Sequence, residues 1–224
     1  MTDKVVGSAD AAVADVGDGA TIMVGGFGDS GFPHRLLAAL ERKAPRSLTI
    51  VHNGAALGSL VTDGRIRHLI CSYPVGPSSL AILPALEAGD TTLEVIPQGT
   101  LIERIRAGGA GLGGVLTPVG VDLAEWSDPR PELIELDGRR WVLARPIRAD
   151  FALVRGAVAD RAGNVVCRKG GRNFNPVMAT AADVTIVEVA RIVEPGELDP
   201  ETIHIPSPFV DRIVVTGAAH SGGN

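Results

Sequence analysis

Four glycines in the stretch MVGGFGDSGFP (23–33) are the residues whose spacing most directly indicates chemistry. Gly26, Gly28 and Gly31 fit the pattern glycine-any-glycine-any-any-glycine, after an apolar run (20–24) and before a segment of helical periodicity. In dinucleotide-binding proteins, this pattern lets a pyrophosphate approach the backbone at the N-terminus of a helix. Three alternatives follow: a dinucleotide site, a site for another ligand, or a tight turn without a ligand.

The strand that follows this loop argues against the dinucleotide. It should end in an Asp or Glu that binds the ribose, about 20 residues further on, but the sequence there is His52-Asn53-Gly54. Pro33 also lacks the N–H that a pyrophosphate would use. One glycine usually suffices for a tight turn, so four within seven residues favour the close approach of a ligand or of a second chain.

The composition favours a buried sheet and excludes several classes of partner. Of 224 residues, 45% are hydrophobic and only 4% aromatic, as expected for parallel strands covered by helices. A net charge of -5 without a basic cluster argues against nucleic acid. The sequence has no signal peptide and no apolar run of about 20 residues, so we expect a cytoplasmic protein without membrane contact. The five histidines lack the spacing of metal ligands, and Cys71 and Cys167 are interpreted as packing thiols.

Short β-branched runs alternate with helical segments and predict an α/β fold, an open, mainly parallel sheet flanked by helices with an antiparallel hairpin extension. The predicted strands are 21–24, 48–51, 68–72, 93–96 and a long one at 184–193, and the predicted helices are 8–16, 33–43, 78–88 and 101–107.

Local signals give detail to this prediction. Ser8 and Thr100 are expected to be N-caps, and Pro84 is expected to kink its helix. Asp137-Gly138 predicts a two-residue hairpin turn, and a second hairpin is expected near 160–166. We expect one domain over residues 1–216 and a disordered tail at 217–224.

The stretch DGATIMVGGFGDSGFP (18–33) resembles the signature of the alpha (A) subunit of family I CoA-transferases: Asp-Gly, aliphatic residues, Gly-Gly-Phe and then Gly-any-Pro. The resemblance covers nearly the whole chain, because it continues in order through IPQGTLIERIRAGGAG (96–111), ADRAGNVVCRKGGRNFNPVMATAA (159–182) and EVARIVEPGELDPETIHIP (188–206). It implies the fold that CoA-transferases share with sugar-phosphate isomerases.

Members of this family move CoA between acyl groups, typically from succinyl-CoA to a 3-oxoacid. A glutamate attacks the thioester and becomes an enzyme–CoA thioester. It lies in a Ser-Glu-Asn-Gly segment of the beta (B) subunit, which this sequence lacks. The resemblance thus implies no catalytic residue in this chain, a B-subunit partner in a heterodimer or heterotetramer, and no cofactor besides the CoA thioester substrate. Glu103 is interpreted as half of a helical ion pair, and Glu188 as a strand residue.

The resemblance also implies which residues form this chain's wall of the site. The loop near the acyl-CoA would consist of Gly25, Gly26, Phe27, Gly28 and Gly31. Asn53, at a strand end, either holds a carboxylate or oxyanion or forms a turn before Gly54, and Gln98 either orients a carboxylate or makes loop hydrogen bonds.

The ligands or partners of three cationic residues and of two divergent segments are further open questions of the sequence. The cations Arg168, Lys169 and Arg172 would meet an acidic substrate, the CoA phosphates or, as we favour, the partner subunit. Segments 72–79 and 117–126 differ from the commoner family forms and are expected to contact the variable part of the acyl substrate. The family often has two asparagines where this chain has His52-Asn53.

The sequence therefore predicts the A subunit of a heteromeric 3-oxoacid CoA-transferase, with 3-oxoadipate and acetoacetate both open as acceptors. The alternatives are a CoA-ester hydrolase or ring-opening enzyme on the same two-subunit scaffold, and a non-catalytic ligand-binding module. A dinucleotide oxidoreductase is the least favoured, because the acidic residue after Val51 is missing.

Overall fold

The structure is a computed structural model that describes residues 3–28, 30–54, 57–74, 80–126 and 130–217. The strands are β1 (Thr21–Val24), β2 (Leu48–Val51), β3 (Ile66–Cys71), β4 (Thr92–Val95), β5 (Val115–Thr117), β6 (Leu133–Leu136), β7 (Arg139–Ala144), β8 (Ala149–Arg155), β9 (Val158–Asp160), β10 (Val165–Val166), β11 (Ala182–Val189), β12 (Arg191–Val193) and β13 (Arg212–Val215). The α-helices are α1 (Ala9–Ala12), α2 (His34–Lys43), α3 (Ser59–Thr62), α4 (Leu83–Glu87), α5 (Gln98–Gly109) and α6 (Asn175–Ala179).

The main sheet has seven parallel strands in the order β13-β11-β8-β1-β2-β3-β4. Both of its faces are buried, because successive residues of β1 alternate between two apolar clusters: Ile22 and Val24 belong to one and Met23 to the other. Helices α1, α2 and α3 contribute to the first cluster, and α5 and α6 to the second. The predicted α/β fold is confirmed.

The strand order reverses beside β1, whose neighbours are β2 on one side and β8 on the other. In open parallel sheets, ligands bind outside the carboxyl ends of the strands, at such a reversal. The glycine loop follows β1, Asn53 follows β2, and Gln98 follows β4. The topology therefore places the predicted site residues along one edge of the sheet.

Two small sheets complete the fold. Strands β6 and β7 form the predicted hairpin, and Asp137 and Gly138 have positive φ values of 52° and 71°, as its two-residue turn requires. With β5 they form an antiparallel sheet, the predicted extension. The second predicted hairpin is β9 with β10, whose turn is held by the carboxylate of Asp160 accepting from the N–H groups of Gly163 and Asn164.

The prediction of one long strand over 184–193 is wrong. The chain leaves the main sheet after β11, turns at Ala190, and enters the small sheet as β12 beside β9. Alternation of apolar residues continues through this turn, because both segments pack on buried surfaces. The change of sheet therefore had no local signal in the sequence.

The helix boundaries correct two further predictions and leave a third untested. Ser8 does cap α1, since its Oγ accepts from the Ala11 N–H at 3.1 Å, but the helix is shorter than the predicted 8–16. Pro84 lies in the first turn of α4, and Leu80 is helical just before it; because residues 75–79 lie outside the described residues, the predicted kink stays a prediction. Helix α5 begins at Gln98 with Pro97 at the N-cap, so Thr100 is not its N-cap. The expected disorder of the tail stays a prediction, because 218–224 are also outside the described residues.

Candidate functional site

Three polar side chains converge where β2, β3 and β4 end. The Oδ1 atom of Asn53 accepts from the Nε2 of Gln98 at 2.7 Å and from the Oγ of Ser72 at 2.7 Å. Because its Oδ1 has these two donors, the Asn53 amide is fixed in orientation, and its NH₂ group donates to no residue within the described ranges. The structure thus brings together the two predicted amides, 45 residues apart in the chain, and adds Ser72 to them.

The first turn of α5 lies beside this amide cluster (Asn53, Ser72 and Gln98). Its N-cap is Pro97, which has no side-chain group to cap it, and within the described ranges no side chain accepts from the first N–H groups of the helix. A helix N-terminus with free N–H groups attracts negative charge. The cluster and the helix end together offer neutral donors to a carboxylate or an oxyanion.

A cavity of about 1030 Å³ adjoins the cluster and runs along the edge strand β4 to the antiparallel sheet. Ser72 lines it at one end, and Val119, Gly120 and Leu123 line it from the other divergent segment. The two segments expected to contact the variable part of a substrate therefore meet in one space, although 75–79 lie outside the described residues.

The described residues of the glycine loop (25–28 and 30–32) are packed mainly by side chains of this same chain. A Cβ on Gly25 would overlap the Oδ1 of Asn175, and one on Gly31 would lie 2.7 Å from its Nδ2. A Cβ on Gly26 would lie 2.7 Å from the Phe32 ring. Three of the four glycines are thus explained by internal packing, and whether a ligand also contacts the loop stays a prediction.

The tip of the loop is different. Phe27 and Ser30 exchange two backbone hydrogen bonds of 2.9 and 3.0 Å, which close a tight turn. Within it Gly28 has a φ of +54° and nothing within 4 Å of its Cβ position. The Phe27 side chain is 47% exposed. The tip therefore presents an apolar ring and an open backbone on the predicted binding edge.

The N-terminus of α2, directly after the loop, is already occupied by a carboxylate. Glu188 on β11 is 2% exposed, and its Oε2 accepts from the N–H groups of Arg35 and Leu36 at 2.7 and 3.2 Å. Arg155 on β8 lies beside it, with 3.7 Å between Nη1 and Oε1. A pyrophosphate would need these same N–H groups. The dinucleotide alternative is therefore excluded by the geometry, and the Glu188 carboxylate is not free to act as a nucleophile.

His52 is buried beneath the loop. Its Nδ1 donates to the Val24 carbonyl at 2.8 Å, and its ring meets that of Phe32 edge to face at 5.0 Å. Burial lowers the pKa of His52 to about 4, because the charged ring would lose its hydration there. A neutral His52 supports the loop from the interior.

The remaining candidates have ordinary surroundings. Arg168, Lys169 and Arg172 are exposed and form no ion pair with a described residue. Glu103 pairs with Arg106 at 3.1 Å on the surface of α5, as predicted. Cys71 and Cys167 are buried, and burial raises the pKa of each thiol to about 11, which keeps them protonated.

Sequence reasoning named Ser72 only as part of the segment 72–79, and it missed Arg155, Asn175 and the capping role of Glu188. Each acts on a segment far away in the chain; Glu188, for example, caps a helix 152 residues before it. The one available signal was the density of glycines, which indicates close neighbours without identifying them.

A parallel sheet with a fixed amide cluster at the carboxyl ends of its strands is the setting of an α/β enzyme. The profile of the Coenzyme A transferase family matches residues 6–216, and this chain belongs to that family.

Relatives of this chain include named CoA-transferase subunits. It is 44% identical to the A subunit of 3-oxoadipate CoA-transferase from Pseudomonas putida, over 99% of this chain and 97% of the relative. It is 44% identical to the alpha subunit of acetate CoA-transferase from Escherichia coli, over 89% and 91%. The human mitochondrial succinyl-CoA:3-ketoacid coenzyme A transferase 2 is 47% identical over 90% of this chain, which spans 43% of that longer protein.

Solved structures share the fold at lower identity. An acyl-CoA transferase from E. coli O157:H7, in a thioester complex with CoA, has a TM-score of 0.83 at 22% identity, with 96% of this chain and 47% of that one covered. Glutaconate coenzyme A-transferase from Acidaminococcus fermentans has a TM-score of 0.83 at 24% identity, covering 96% and 76%. No helix of the described residues is long and apolar enough to cross a membrane.

Proposed function

We propose that this chain is the A subunit of a two-subunit 3-oxoacid CoA-transferase that converts succinyl-CoA and a 3-oxoacid into succinate and a 3-oxoacyl-CoA. The observation that carries the proposal is the end-to-end match to the A subunit of a 3-oxoadipate CoA-transferase. The amide cluster at the carboxyl edge of the sheet supports it, because the reaction needs donors for carboxylates and oxyanions in a site that excludes water.

The nucleophile is proposed to come from a B subunit. Glu188 is bonded to two backbone N–H groups and Glu103 lies in an exposed ion pair, so neither is arranged to attack a thioester. A partner glutamate brought against the amide cluster would attack the thioester carbonyl and release the CoA thiolate. The chemistry needs no cofactor besides the CoA thioester, and no metal.

Asn53 and Gln98 are proposed to hold the carboxylate or the oxyanion, and the cavity along β4 is proposed to hold the acyl part of the substrate. The loop tip, with Phe27 and Gly28, is proposed to lie near the thioester. The cations Arg168, Lys169 and Arg172 would then contact the partner at the same edge, since they lack ionic partners among the described residues.

The test is reconstitution with a B subunit that carries a Ser-Glu-Asn-Gly segment. Neither chain should be active by itself, and the mixture should form a new acyl-CoA from succinyl-CoA with 3-oxoadipate or acetoacetate. Accumulation of free CoA without a new acyl-CoA would indicate a hydrolase instead. Borohydride reduction of the CoA-loaded pair should modify the partner, and modification of Glu103 or Glu188 would contradict the assignment of the nucleophile.

A further inference from the structure

Three interior side chains tie the glycine loop to the strands beside it. Asn175, which is fully buried, donates from Nδ2 to the carbonyls of Gly31 and Gly171 at 3.1 Å each. Its Oδ1 accepts from the backbone N–H of Arg155 at 2.9 Å. A single amide thus joins the loop to β8.

Arg155 and Glu188 hold the far end of the same loop. The Arg155 Nη1 donates to the Phe32 carbonyl at 3.0 Å and lies 3.7 Å from Glu188. Glu188 in turn binds the N–H groups of Arg35 and Leu36 at the start of α2. Arg155 and Glu188 are register partners on the adjacent strands β8 and β11, so the rigid sheet sets where this contact lies.

We propose that Asn175, Arg155 and Glu188 are positioning residues of the CoA-transfer reaction, which fix the glycine loop (residues 25–28 and 30–32) so that its exposed tip meets the thioester in one geometry. This inference rests on the proposed function of the chain. At the tip, the Ser30 carbonyl accepts from the Asn173 Nδ2 at 3.0 Å, while Phe27 is half exposed and a Cβ on Gly28 would meet nothing within 4 Å. A loop that is held in place by the interior and exposes its outer side can orient a bound group without enclosing it.

Each of these contacts can be disrupted by a substitution that changes the polarity of the side chain and keeps its size. Asn175→Asp leaves Oδ1 in place for the Arg155 N–H but puts an oxygen where Nδ2 now meets two carbonyl oxygens, so attraction becomes repulsion. Glu188→Gln keeps one acceptor for the α2 N–H groups and removes the charge beside Arg155. Glu103→Gln is the matched control, since it removes a carboxylate from an exposed ion pair elsewhere.

The variants are to be measured in the reconstituted two-subunit complex. We expect Asn175→Asp and Glu188→Gln to lower kcat by about tenfold or more, because a small misplacement of a reacting group has a large effect on rate. The KM for the acyl-CoA should change less than about threefold, because the loop orients the thioester and contributes little to CoA binding. Hydrogen–deuterium exchange should rise in residues 25–36 and stay low in β8 and β11.

Several outcomes would overturn the inference. An unchanged kcat would do so, and so would unchanged hydrogen–deuterium exchange in residues 25–36. A rate per assembled complex equal to that of the unmodified enzyme would also do so, because the variant would then have impaired assembly alone. If Glu188→Gln does not assemble, Arg155→Met replaces it, since that side chain is 26% exposed and its backbone bond to Asn175 is retained. If the unmodified pair transfers no CoA, the proposed function fails, while the exchange measurement still decides whether these residues hold the loop.

Discussion

Two strand-to-helix turns lie at the same edge of the main sheet and are built in opposite ways. The turn from β1 to α2 contains four glycines and is filled by this chain's own Asn175 and Phe32, and its helix is capped by Glu188. The turn from β4 to α5 lacks a side-chain cap in the described part of the chain, and its Gln98 is exposed and bonded to Asn53. In the β1–α2 turn, the hydrogen-bond donors and the space beside the glycines are taken by side chains of this chain. In the β4–α5 turn, donors are left for a ligand.

The contrast changes what a dense run of glycines indicates. In the first turn the glycines make room for side chains from α6 and from the loop itself, and only Gly28 has open surroundings. In the second turn a single polar residue at a helix start, Gln98, provides the donors. Glycine density therefore reports close packing, while the ligand groups are found where hydrogen bonds remain unfilled.

The largest effect is expected at the second turn. Gln98→Ala removes the Nε2 donor from Asn53 and should lower kcat of the two-subunit enzyme on the order of 100-fold, the usual effect of losing one oxyanion donor. Stability should change by less than about 1 kcal/mol, because Gln98 is exposed and Ser72 still donates to Asn53. Steady-state kinetics and urea unfolding give the two numbers, with Glu103→Gln on the same helix as control. A kcat within twofold of the unmodified enzyme would remove the amide cluster from the mechanism.

Beneath the first turn, His52 should make folding sensitive to acid. Its pKa is about 4 in the folded chain and near the ordinary 6.5 when unfolded. Between these values the unfolded chain binds more protons, so the free energy of unfolding falls as the pH falls from 6.5 towards 4. We expect a loss of roughly 3 kcal/mol from pH 7 to pH 4.

The variant His52→Asn isolates this contribution. The Asn amide places a donor near the Val24 carbonyl without a group that takes a proton. It should cost about 1–2 kcal/mol at pH 7 through the lost contact with Phe32, and the pH dependence between 6.5 and 4 should flatten. Urea unfolding at several pH values measures both chains. Parallel curves would mean that His52 does not cause the acid sensitivity in this range.

The same contrast separates what the sequence could predict from what it could not. Strands β1 and β2, the β6–β7 hairpin and the parallel direction of the main sheet follow from local patterns and turn chemistry, and the structure confirms them, whereas the order of the strands was not predicted. The prediction of one long strand was wrong because apolar alternation continues from β11 into β12 although the chain changes sheet between them. The amide cluster and the Glu188 cap join residues 45 and 152 positions apart, and no local pattern encodes such pairings.

A smaller effect is expected from Gly25→Ala in the β1–α2 turn. The added Cβ would overlap the Asn175 Oδ1, so the loop or α6 must shift. Such overpacking should lower stability by about 2 kcal/mol. The double variant Gly25→Ala with Asn175→Ala should cost less than the sum of its two single variants, because the clash disappears with the amide. Urea unfolding of the four chains tests this coupling, and simple additivity would mean that the two residues do not meet.

The smallest change in stability is expected from Gly28→Ala, the matched position at the loop tip. Its Cβ would meet nothing within 4 Å, so only the φ of +54° opposes it, at a cost of about 1 kcal/mol. If the thioester lies over this tip, however, the added methyl group should raise the KM for the acyl-CoA several-fold, on the order of the 1 kcal/mol that one misplaced methyl group costs in a fitted site. The measurement is the KM of the reconstituted enzyme beside the urea midpoint of the free chain. A KM equal to that of the unmodified enzyme, with the expected loss of stability, would mean that Gly28 faces solvent in the complex. The β1–α2 turn would then stabilise the fold without contacting the thioester.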